Sequence, residues 1–277
     1  MPELPEVETV VRGLARRMTG HRLAQVELHR GDLRWRIPKS LPEKAAGRTV
    51  TSVRRRAKYL LIQLDDGGVL LLHLGMSGRL ILVEPGDRSP LERHDHVVIT
   101  LDDGTRIRFN DARRFGALDY VRADALERHK LLKGLGPEPL DPAFTGAVLA
   151  AALRGKRTPL KAALLDQRVV AGLGNIYVCE ALYYAGLSPK RLARSVTPER
   201  AERLVRAIRE VLERAVAAGG SSIRDYVQTS GELGYFQHQW AVYDHEGEPC
   251  PGCDCGGGIK RIVQSGRSTF YCAKRQR

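Results

Sequence analysis

The sequence predicts an α+β protein with two domains, in which an N-terminal helix and a β-sandwich precede a helical region and a cysteine-rich β-hairpin. Residues 4–18 place apolar side chains at helical spacing, and residues 21–121 contain short runs rich in Val, Ile, Leu and Tyr. A Gly- and Pro-rich stretch at 134–142 ends this pattern, and helical periodicity follows it. The 277 residues suffice for two domains that each bury a core.

The first predicted helix has one apolar face, which consists of Leu4, Val7, Val10, Val11, Leu14 and Met18. Pro2 and Pro5 suit a first turn, because the backbone N–H groups there have no partner within the helix. Glu3, Glu6 and Glu8 complement the positive end of the helix dipole. We therefore expect this helix to begin almost at residue 2.

Two β-hairpins are predicted within the strand-rich region. YLLIQL and VLLLHL flank the turn sequence Asp-Asp-Gly-Gly at 65–68, and HVVITL and TRIRF flank Asp-Asp-Gly at 102–104. Turns of this composition join antiparallel strands. Short strands at this spacing predict a sandwich or a barrel.

Four further helices are predicted, at 144–154, 159–167, 175–185 and 198–217. Thr197 and Pro198 give the last of them an N-cap and a favoured first residue. A Gly-Gly-Ser-Ser break at 219–222 ends the helices. We therefore divide the chain into a sandwich domain at 1–133, a linker at 134–143, a helical region at 144–222, a loop at 223–240 and a cysteine module at 241–277.

The charge balance favours a polyanionic partner. There are 45 Lys and Arg against 32 Asp and Glu, which gives a net charge of +13, and an apolar fraction of 43% excludes general disorder. Residues 12–58 alone hold fourteen Lys or Arg and three acidic residues. Nucleic acid is therefore a better partner than an anionic membrane surface, although such a patch is also compatible with a merely solvated face.

Membrane insertion and secretion are not expected. No stretch approaches the ~20 apolar residues that cross a bilayer, and the N-terminal MPELPEVE is acidic where a signal peptide is basic. We expect an intracellular protein, and four of its five cysteines cluster in the last 28 residues. In a reducing compartment this clustering indicates metal binding rather than disulfides.

The N-terminal dipeptide offers an unusual nucleophile. Removal of Met1 would leave Pro2 with a free secondary amine, whose pKa near about 8 keeps a useful fraction unprotonated. Attack of that amine on a sugar anomeric carbon gives a cationic iminium, which eases elimination at neighbouring bonds, and Glu3 is placed to move protons. The alternative is that Pro2 and Glu3 simply start the helix.

The cysteine module predicts a zinc site. Cys250, Cys253 and Cys255 are followed by Cys272, with sixteen residues between Cys255 and Cys272, and four thiolates suit one tetrahedral zinc. IKRIV and STFYC read as two strands around a turn at 264–267, with Arg267 near the tip. A metal-free basic tail and a redox-active cluster are the alternatives.

Three more segments are candidates for nucleic-acid contact. The glycine-rich run before Asn175 opens a helix and suits a phosphate, although such starts are also common for packing. Phe115 follows Arg113 in a polar loop and is a candidate wedge, or else a core residue at a strand end. Met76 lies between glycines and suits contact with bases, or is buried, while Lys58 lies either beside the amine or on the surface.

Eight segments in order resemble the formamidopyrimidine-DNA glycosylases, which are bacterial 8-oxoguanine DNA glycosylases and AP lyases. They are MPELPEVETV, AKYLL, HLGMSGRL, RHDHV, NDARRFG, AGLGNIY, GELGYFQHQWAVY and GRSTFYC, and the resemblance runs from residue 2 to residue 276. The resemblance implies a base-excision repair enzyme that flips an oxidised purine out of duplex DNA, removes it and nicks the strand by β,δ-elimination. It also implies a β-sandwich, a helix-two-turn-helix region and a zinc finger.

Roles follow from the resemblance at matched positions. Pro2 is the implied Schiff-base nucleophile, Glu3 the acid that protonates the sugar, Glu6 a supporting residue and Lys58 the residue for β-elimination. Arg267 is implied to clamp a phosphate and to serve δ-elimination, for which a guanidinium is a poor proton donor.

Implied DNA contacts complete the site. Met76, Arg113 and Phe115 would fill the vacated space and read the estranged base; backbone phosphates would be held by His94, Lys156, Lys161 and Asn175. The segment 229–232 would belong to a lesion-recognition loop. One structural zinc ion (Zn²⁺), duplex DNA as partner, a monomer and a bacterial, nucleoid-associated cytoplasmic location are expected.

Two alternatives stay open: a sister glycosylase for oxidised pyrimidines and a DNA-binding protein without catalysis. Leu4 and the Arg113 to Phe115 triad favour the purine enzyme, and Pro2 and Lys58 argue against a non-catalytic protein. One departure from the family concerns the finger. Arg275 stands where a second C-x2-C pair would end, so we expect the ligands Cys250, Cys253, Cys255 and Cys272.

Overall fold

The computed structural model describes residues 2–221 and 235–277. The chain forms two compact units: unit 1 comprises Met1–Lys133 with Ala218–Gln237, and unit 2 comprises Gly134–Ala217 with His238–Arg277. Residues 218–221, which fall within the predicted helical region, belong to unit 1. They do so because Ser221 hydrogen-bonds to Glu6 and pairs with Tyr235 in an isolated β-bridge.

Unit 1 is a sandwich of two antiparallel four-stranded sheets. One sheet has the order β1-β6-β7-β5 and the other β2-β3-β4-β8. The strands are β1 (Leu23–Leu28), β2 (Val50–Arg56), β3 (Tyr59–Leu64), β4 (Gly68–His73), β5 (Arg79–Val83), β6 (Asp95–Leu101), β7 (Arg106–Asn110) and β8 (Ala117–Arg122). Both predicted hairpins are confirmed, since β3 pairs with β4 and β6 pairs with β7.

Helix α1 (Leu4–Met18) covers this sandwich with its apolar face. The buried residues Val7, Val10, Leu14 and Met18 join side chains from both sheets in one hydrophobic core. Unit 1 also contains a short helix α2 (Leu41–Ala45) and a 3-10 helix at Ala123–Arg128. Burial of this face, rather than helix propensity alone, stabilises α1.

Unit 2 contains α3 (Gly146–Leu153), α4 (Leu160–Leu165), α5 (Asn175–Tyr184) and α6 (Pro198–Ala217), with a 3-10 helix at Ala193–Ser195. The four predicted helices are confirmed, with ends displaced by two residues or fewer. The Thr197 hydroxyl accepts a hydrogen bond from the Arg200 backbone nitrogen, as its predicted N-cap position requires. A further 3-10 helix, Phe236–Gln239, spans the boundary between the units in sequence.

The cysteine module is a two-stranded hairpin of β9 (Lys260–Gln264) and β10 (Arg267–Tyr271). Its two-residue turn has positive φ angles at Ser265 (49°) and Gly266 (71°), as the tight hairpin turns do. Behind it, Cys179 and Tyr183 of α5 pack with Phe270 in a small core. Among the described residues no helix is long and apolar enough to cross a membrane.

Candidate active site and nucleic-acid interface

The N-terminus of α1 is a buried, hydrogen-bonded site in unit 1. Pro2 is buried, and Glu3 is the N-cap residue, 3% exposed. The Glu3 carboxylate accepts a hydrogen bond from the Glu6 backbone N–H, and the Glu6 carboxylate accepts one from the Glu3 backbone N–H at 2.8 Å. The other Glu6 oxygen accepts the Ser221 backbone N–H at 2.8 Å. These contacts fix the backbone on which Pro2 stands.

Lys58 lies in the turn between β2 and β3 and is 6% exposed. Ala57 before it has φ of 52°, a left-handed conformation that the turn imposes. Arg55 donates to the Ala57 carbonyl at 3.0 Å and forms an ion pair with Glu8 of α1 at 2.9 Å. The turn that carries Lys58 is thereby fastened to the helix that Pro2 precedes.

His73, at the end of β4, holds a neutral imidazole close to Lys58. Burial first, and then the positive charges of Lys58 and Arg34, lower the pKa of His73 to about 4. The Gly75 backbone N–H donates to Nδ1 of His73 at 2.9 Å, which requires that nitrogen to be unprotonated. The Tyr59 ring packs at 4.8 Å between centroids, and burial raises the pKa of Tyr59.

The predicted void-filling residues lie on two neighbouring loops of unit 1. We call residues 74–78 the Met76 loop and residues 111–116 the Phe115 loop. Phe115 is 43% exposed, which excludes the core alternative, and the Arg113 guanidinium lies 4.9 Å from its ring centroid. Met76 is half-buried. His94 is also partly exposed, at the end of the loop of residues 84–94, which we call the His94 loop.

In unit 2, Arg267 is exposed at the start of β10. The backbone beside it is held in place through hydrogen bonds to the next residue, Ser268. The Ser268 carbonyl accepts hydrogen bonds from Lys161 Nζ at 2.8 Å and from Asn175 Nδ2 at 3.0 Å. Lys161 is 0% exposed and also donates to the Thr269 hydroxyl at 2.7 Å. The Lys161 ammonium is thus buried against the hairpin, and its contact with a DNA phosphate stays a prediction.

The remaining predicted phosphate contacts have mixed environments. Lys156 is partly exposed, in keeping with a surface role. The Asn175 amide nitrogen serves the hairpin, whereas its Oδ1 is buried without a hydrogen-bond partner among the described residues. In the glycine-rich run, the Gly172 N–H donates to the Gln167 side chain at 2.9 Å, so that amide already has a partner.

Glu180 on α5 anchors the segment that leads into the hairpin module. The side chain is 0% exposed, and its two oxygens accept the backbone N–H groups of Ala241, Val242 and Tyr243 at 2.8, 3.0 and 2.9 Å. Burial raises the pKa of Glu180 and these three hydrogen bonds oppose the shift. The carboxylate thus replaces regular backbone pairing for three consecutive residues.

The cysteine cluster can hold a metal ion. The Sγ atoms of Cys250, Cys253 and Cys272 lie within 4.8 Å of one another. Cys255 is outside that group of three but approaches Cys272, with 3.8 Å between the sulfurs, and Cys253 lies 3.5 Å from Cys272. Although burial opposes ionisation, hydrogen bonds from Tyr183 and other neighbours lower the pKa of Cys250 to about 7. A thiolate is the form that binds metals.

The Arg275 side chain contacts Tyr183 and Gly252 and does not take the place of a cysteine ligand. Its guanidinium lies 4.8 Å from the Tyr183 ring centroid and donates to the Gly252 carbonyl at 3.2 Å. Its backbone N–H donates to the Cys272 sulfur at 3.4 Å. Position 275 therefore supports the cluster through the main chain and packs its side chain elsewhere.

Sequence reasoning missed several residues that shape these sites. Ser221, Glu180 and Asp111 act through backbone hydrogen bonds to residues that are distant in sequence, so no local spacing marks them. Asp111 stood inside the NDARRFG segment, where an acidic residue at the end of a strand was a usable signal. The predicted loop segment 229–232 lies outside the described residues.

Comparison with known proteins gives matches over the whole chain. Residues 1–118 match the family "Formamidopyrimidine-DNA glycosylase N-terminal domain" and residues 135–227 match "Formamidopyrimidine-DNA glycosylase H2TH domain". A formamidopyrimidine-DNA glycosylase of Cereibacter sphaeroides is 57% identical over 284 residues, with 100% of each chain covered.

Two solved structures share the fold. The crystal structure of the MutM (Fpg) protein from Thermus thermophilus is 45% identical, with a TM-score of 0.87 over 99% of this chain and 98% of that one. Wild-type Lactococcus lactis Fpg in complex with an N7-benzyl-Fapy-dG containing DNA is 34% identical, with a TM-score of 0.90 and 100% of both chains covered.

Proposed function

Because this chain belongs to the formamidopyrimidine-DNA glycosylase family, we propose that it excises oxidised purines such as 8-oxoguanine and formamidopyrimidines from duplex DNA. It is a DNA glycosylase with AP lyase activity, like the other members of this family. The observation that carries the proposal is the match over both domains, together with a buried Pro2 at the start of α1. Its relatives are bacterial, and we propose that it acts as a monomer on nucleoid DNA in the cytoplasm.

In the proposed reaction, the Pro2 nitrogen attacks C1′ of the damaged nucleotide and the glycosidic bond breaks. The base leaves with the bonding electron pair and takes up a proton, and the Pro2 nitrogen, which becomes a cationic ammonium on attack, gives up its own N–H proton. Glu3 donates a proton to the sugar ring oxygen, the ring opens, and an iminium joins Pro2 to C1′. Glu6 supports this step because both of its oxygens accept backbone N–H groups, which fixes the first turn.

Strand cleavage follows from the iminium, which acts as an electron sink. Loss of a proton from C2′ expels the 3′ phosphate, and a second elimination expels the 5′ phosphate. We assign Lys58 to the first elimination. Arg267 is assigned to a flanking phosphate, which a guanidinium binds through two parallel hydrogen bonds. Lys156, His94 and Asn175 are assigned to further phosphates, and Met76, Arg113 and Phe115 to the vacated space in the duplex.

Borohydride trapping tests the nucleophile. Borohydride reduces an iminium to a stable amine, so the wild-type chain should become covalently attached to a duplex with 8-oxoguanine opposite cytosine. Pro2→Gly should reduce the trapped fraction by about a hundredfold or more, since loss of a nucleophile removes the covalent route. Pro5→Ala is the matched control, because it removes a neighbouring proline of the same helix start and keeps the Pro2 amine.

Three outcomes would contradict the proposal. Undiminished trapping by Pro2→Gly would refute the proline mechanism. Trapping on oxidised pyrimidines alone would favour the sister glycosylase. Tight binding to lesion DNA without any base release would indicate a DNA-binding protein without catalysis.

We propose that the cysteine cluster binds one structural zinc ion through Cys250, Cys253, Cys255 and Cys272. Zn–S bonds of about 2.3 Å in a tetrahedron separate the sulfurs by about 3.8 Å. The separations of 3.5 and 3.8 Å from Cys272 to Cys253 and Cys255 fit that geometry. Zinc would supply folding free energy to the hairpin module and no catalytic chemistry.

Metal analysis tests this ligand set. Cys255→Ser should reduce the zinc content of the purified protein. Arg275→Cys in the same chain should restore it, since a cysteine there completes a C-x2-C pair with Cys272. Cys179→Ala is the control, because Cys179 is buried in the core of α5 and the hairpin. Full zinc occupancy in Cys255→Ser alone would overturn the proposed role of Cys255.

A further inference from the structure

Asp111 lies just beyond the end of β7 and is 0% exposed. Its side chain joins the two loops that carry the void-filling residues. Oδ1 accepts a hydrogen bond from the Ser77 hydroxyl at 2.6 Å, and Oδ2 accepts one from the Gly116 backbone N–H at 2.7 Å. The Ser77 hydroxyl oxygen in turn accepts the Arg113 backbone N–H at 3.1 Å. The Met76 loop and the Phe115 loop thus share one buried carboxylate.

The main chain of Asp111 reaches a third loop. Its N–H donates to the His94 carbonyl at 3.0 Å. Its carbonyl accepts hydrogen bonds from Nε2 of the buried His96 at 2.9 Å and from the Arg114 N–H at 3.2 Å. A single residue therefore contacts the His94 loop, the Met76 loop and the Phe115 loop.

The two void-filling loops also touch through their backbones, without room for a side chain between them. A Cβ atom at Gly75 would lie 2.4 Å from both the Gly116 nitrogen and the Phe115 carbonyl carbon. A Cβ atom at Gly116 would lie 2.7 Å from Cζ of Phe109 and 2.9 Å from Oδ2 of Asp111. Because neither loop can shift without the other, their relative position is fixed by packing as well as by hydrogen bonds.

We propose that Asp111 and Ser77 are positioning residues that hold Met76 and Phe115 as one rigid unit before DNA is bound. This inference rests on the proposed function, because it concerns how the exposed tips enter the space left by the flipped base. It adds to that function a buried pair that touches neither DNA nor the reacting atoms.

The physical reason is preorganisation. Insertion between base pairs opposes stacking, at a cost of a few kcal/mol per step. Loops that were still mobile would also lose conformational freedom on insertion. This entropy loss would further disfavour the complex in which the loops are inserted into the duplex. The structure fixes the loop bases through buried hydrogen bonds while Phe115 and Arg113 remain exposed at the tips. Positioning errors of about an ångström can lower rates roughly a hundredfold.

The test compares two reactions of the full-length protein. One is base release from a duplex with 8-oxoguanine opposite cytosine, which needs the void-filling tips. The other is borohydride trapping on a single-stranded oligonucleotide with an abasic site, which has no stacked partner to displace. Asp111→Asn should lower the first about ten- to a hundredfold and the second less than about threefold. Ser77→Ala should show the same selectivity with a smaller effect.

A matched control is available in the same unit. The Asp66 carboxylate also accepts one backbone N–H, from Gly68 at 2.8 Å, and one hydroxyl, from Tyr120 at 3.2 Å. Asp66→Asn makes the same substitution at a partly exposed carboxylate of the β3–β4 turn, which also pairs with Arg48 at 3.4 Å, and should leave the ratio of the two reactions unchanged. Hydrogen exchange at Arg113 and Gly116 should accelerate in Asp111→Asn and not in Asp66→Asn.

The outcomes separate this inference from the proposed function. An equal loss of both reactions in Asp111→Asn would indicate general destabilisation and would overturn the positioning role, and so would an unchanged ratio. If the wild-type chain itself gives no trapping on abasic DNA, the proposed function fails. Hydrogen exchange alone then tests the coupling of the loops. Unchanged exchange at Gly116 in Asp111→Asn would overturn that coupling.

Discussion

The Glu6 carboxylate holds Ser221, a residue that lies 215 positions further along the chain, through a hydrogen bond of 2.8 Å to its backbone nitrogen. Its second oxygen accepts the backbone N–H of Glu3. Glu6 is 0% exposed, so neither donor can turn to water instead. One carboxylate therefore couples the start of α1 to the segment that returns to unit 1.

Glu6→Gln should destabilise unit 1 and lower the fraction of protein that borohydride traps on DNA. An amide offers one acceptor oxygen to two backbone donors, and a buried donor without an acceptor costs about 1–3 kcal/mol. Thermal unfolding and borohydride trapping measure the two effects. Glu84→Gln is the control, since the Glu84 side chain is 68% exposed. Equal melting temperatures for Glu6→Gln and the wild type would contradict the role assigned to Glu6.

His73 should make stability fall in mild acid. Its pKa of about 4 is far below the unfolded value of roughly 6.5, so the unfolded chain takes up a proton first as pH drops. The contribution is complete above about pH 6.5 and is lost progressively toward pH 4. Urea midpoints near neutrality and at about pH 5 should differ more for the wild type than for His73→Gln.

A second histidine provides the comparison for that measurement. His29 is exposed, so His29→Gln should retain the acid sensitivity of the wild type. If His73→Gln and the wild type lose the same stability between the two pH values, the neutral buried imidazole is not its source.

Lys161→Met should weaken DNA binding without changing its dependence on salt. The buried ammonium holds Ser268 and Thr269, so its loss loosens the hairpin next to Arg267 rather than removing a phosphate contact. Lys156→Gln should instead lower the slope of log K against log salt by about 0.9, the value for one phosphate contact. Equal slope changes in the two variants would show that Lys161 also contacts a phosphate.

Glu180→Gln should release the segment that precedes the hairpin module. Three backbone N–H groups depend on the carboxylate, and an amide oxygen cannot accept all of them in the same geometry. Hydrogen exchange at Ala241, Val242 and Tyr243 should accelerate about tenfold or more, which corresponds to about 1.4 kcal/mol for each tenfold change. Glu210→Gln on the exposed face of α6 should leave these amides protected.

Most of the fold was predictable because its determinants are local. The apolar spacing of α1, the Asp-Gly turns and the Thr197 cap are properties of a few consecutive residues, and each was found where it was expected. Some helix ends differed by one or two residues, since terminal turns depend on packing that a local pattern does not contain.

The candidate site was predictable only in part. Pro2, Phe115 and Arg267 stand at element ends or in turns, and the resemblance to the family, rather than local pattern alone, assigned roles to them. The resemblance implied a phosphate contact for Lys161, but it did not reveal that the Lys161 ammonium donates to the Ser268 carbonyl.

The sequence by itself determined the order of the elements and the clustering of four cysteines near the end of the chain, since composition, periodicity and spacing suffice for these. Only the tertiary structure decided that Glu6 holds Ser221, that Asp111 joins three loops and that Lys161 faces inward. Each of these depends on which distant backbone groups are left without a regular partner. That is a property of the packed chain, because a buried donor or acceptor takes whichever side chain the fold brings near it.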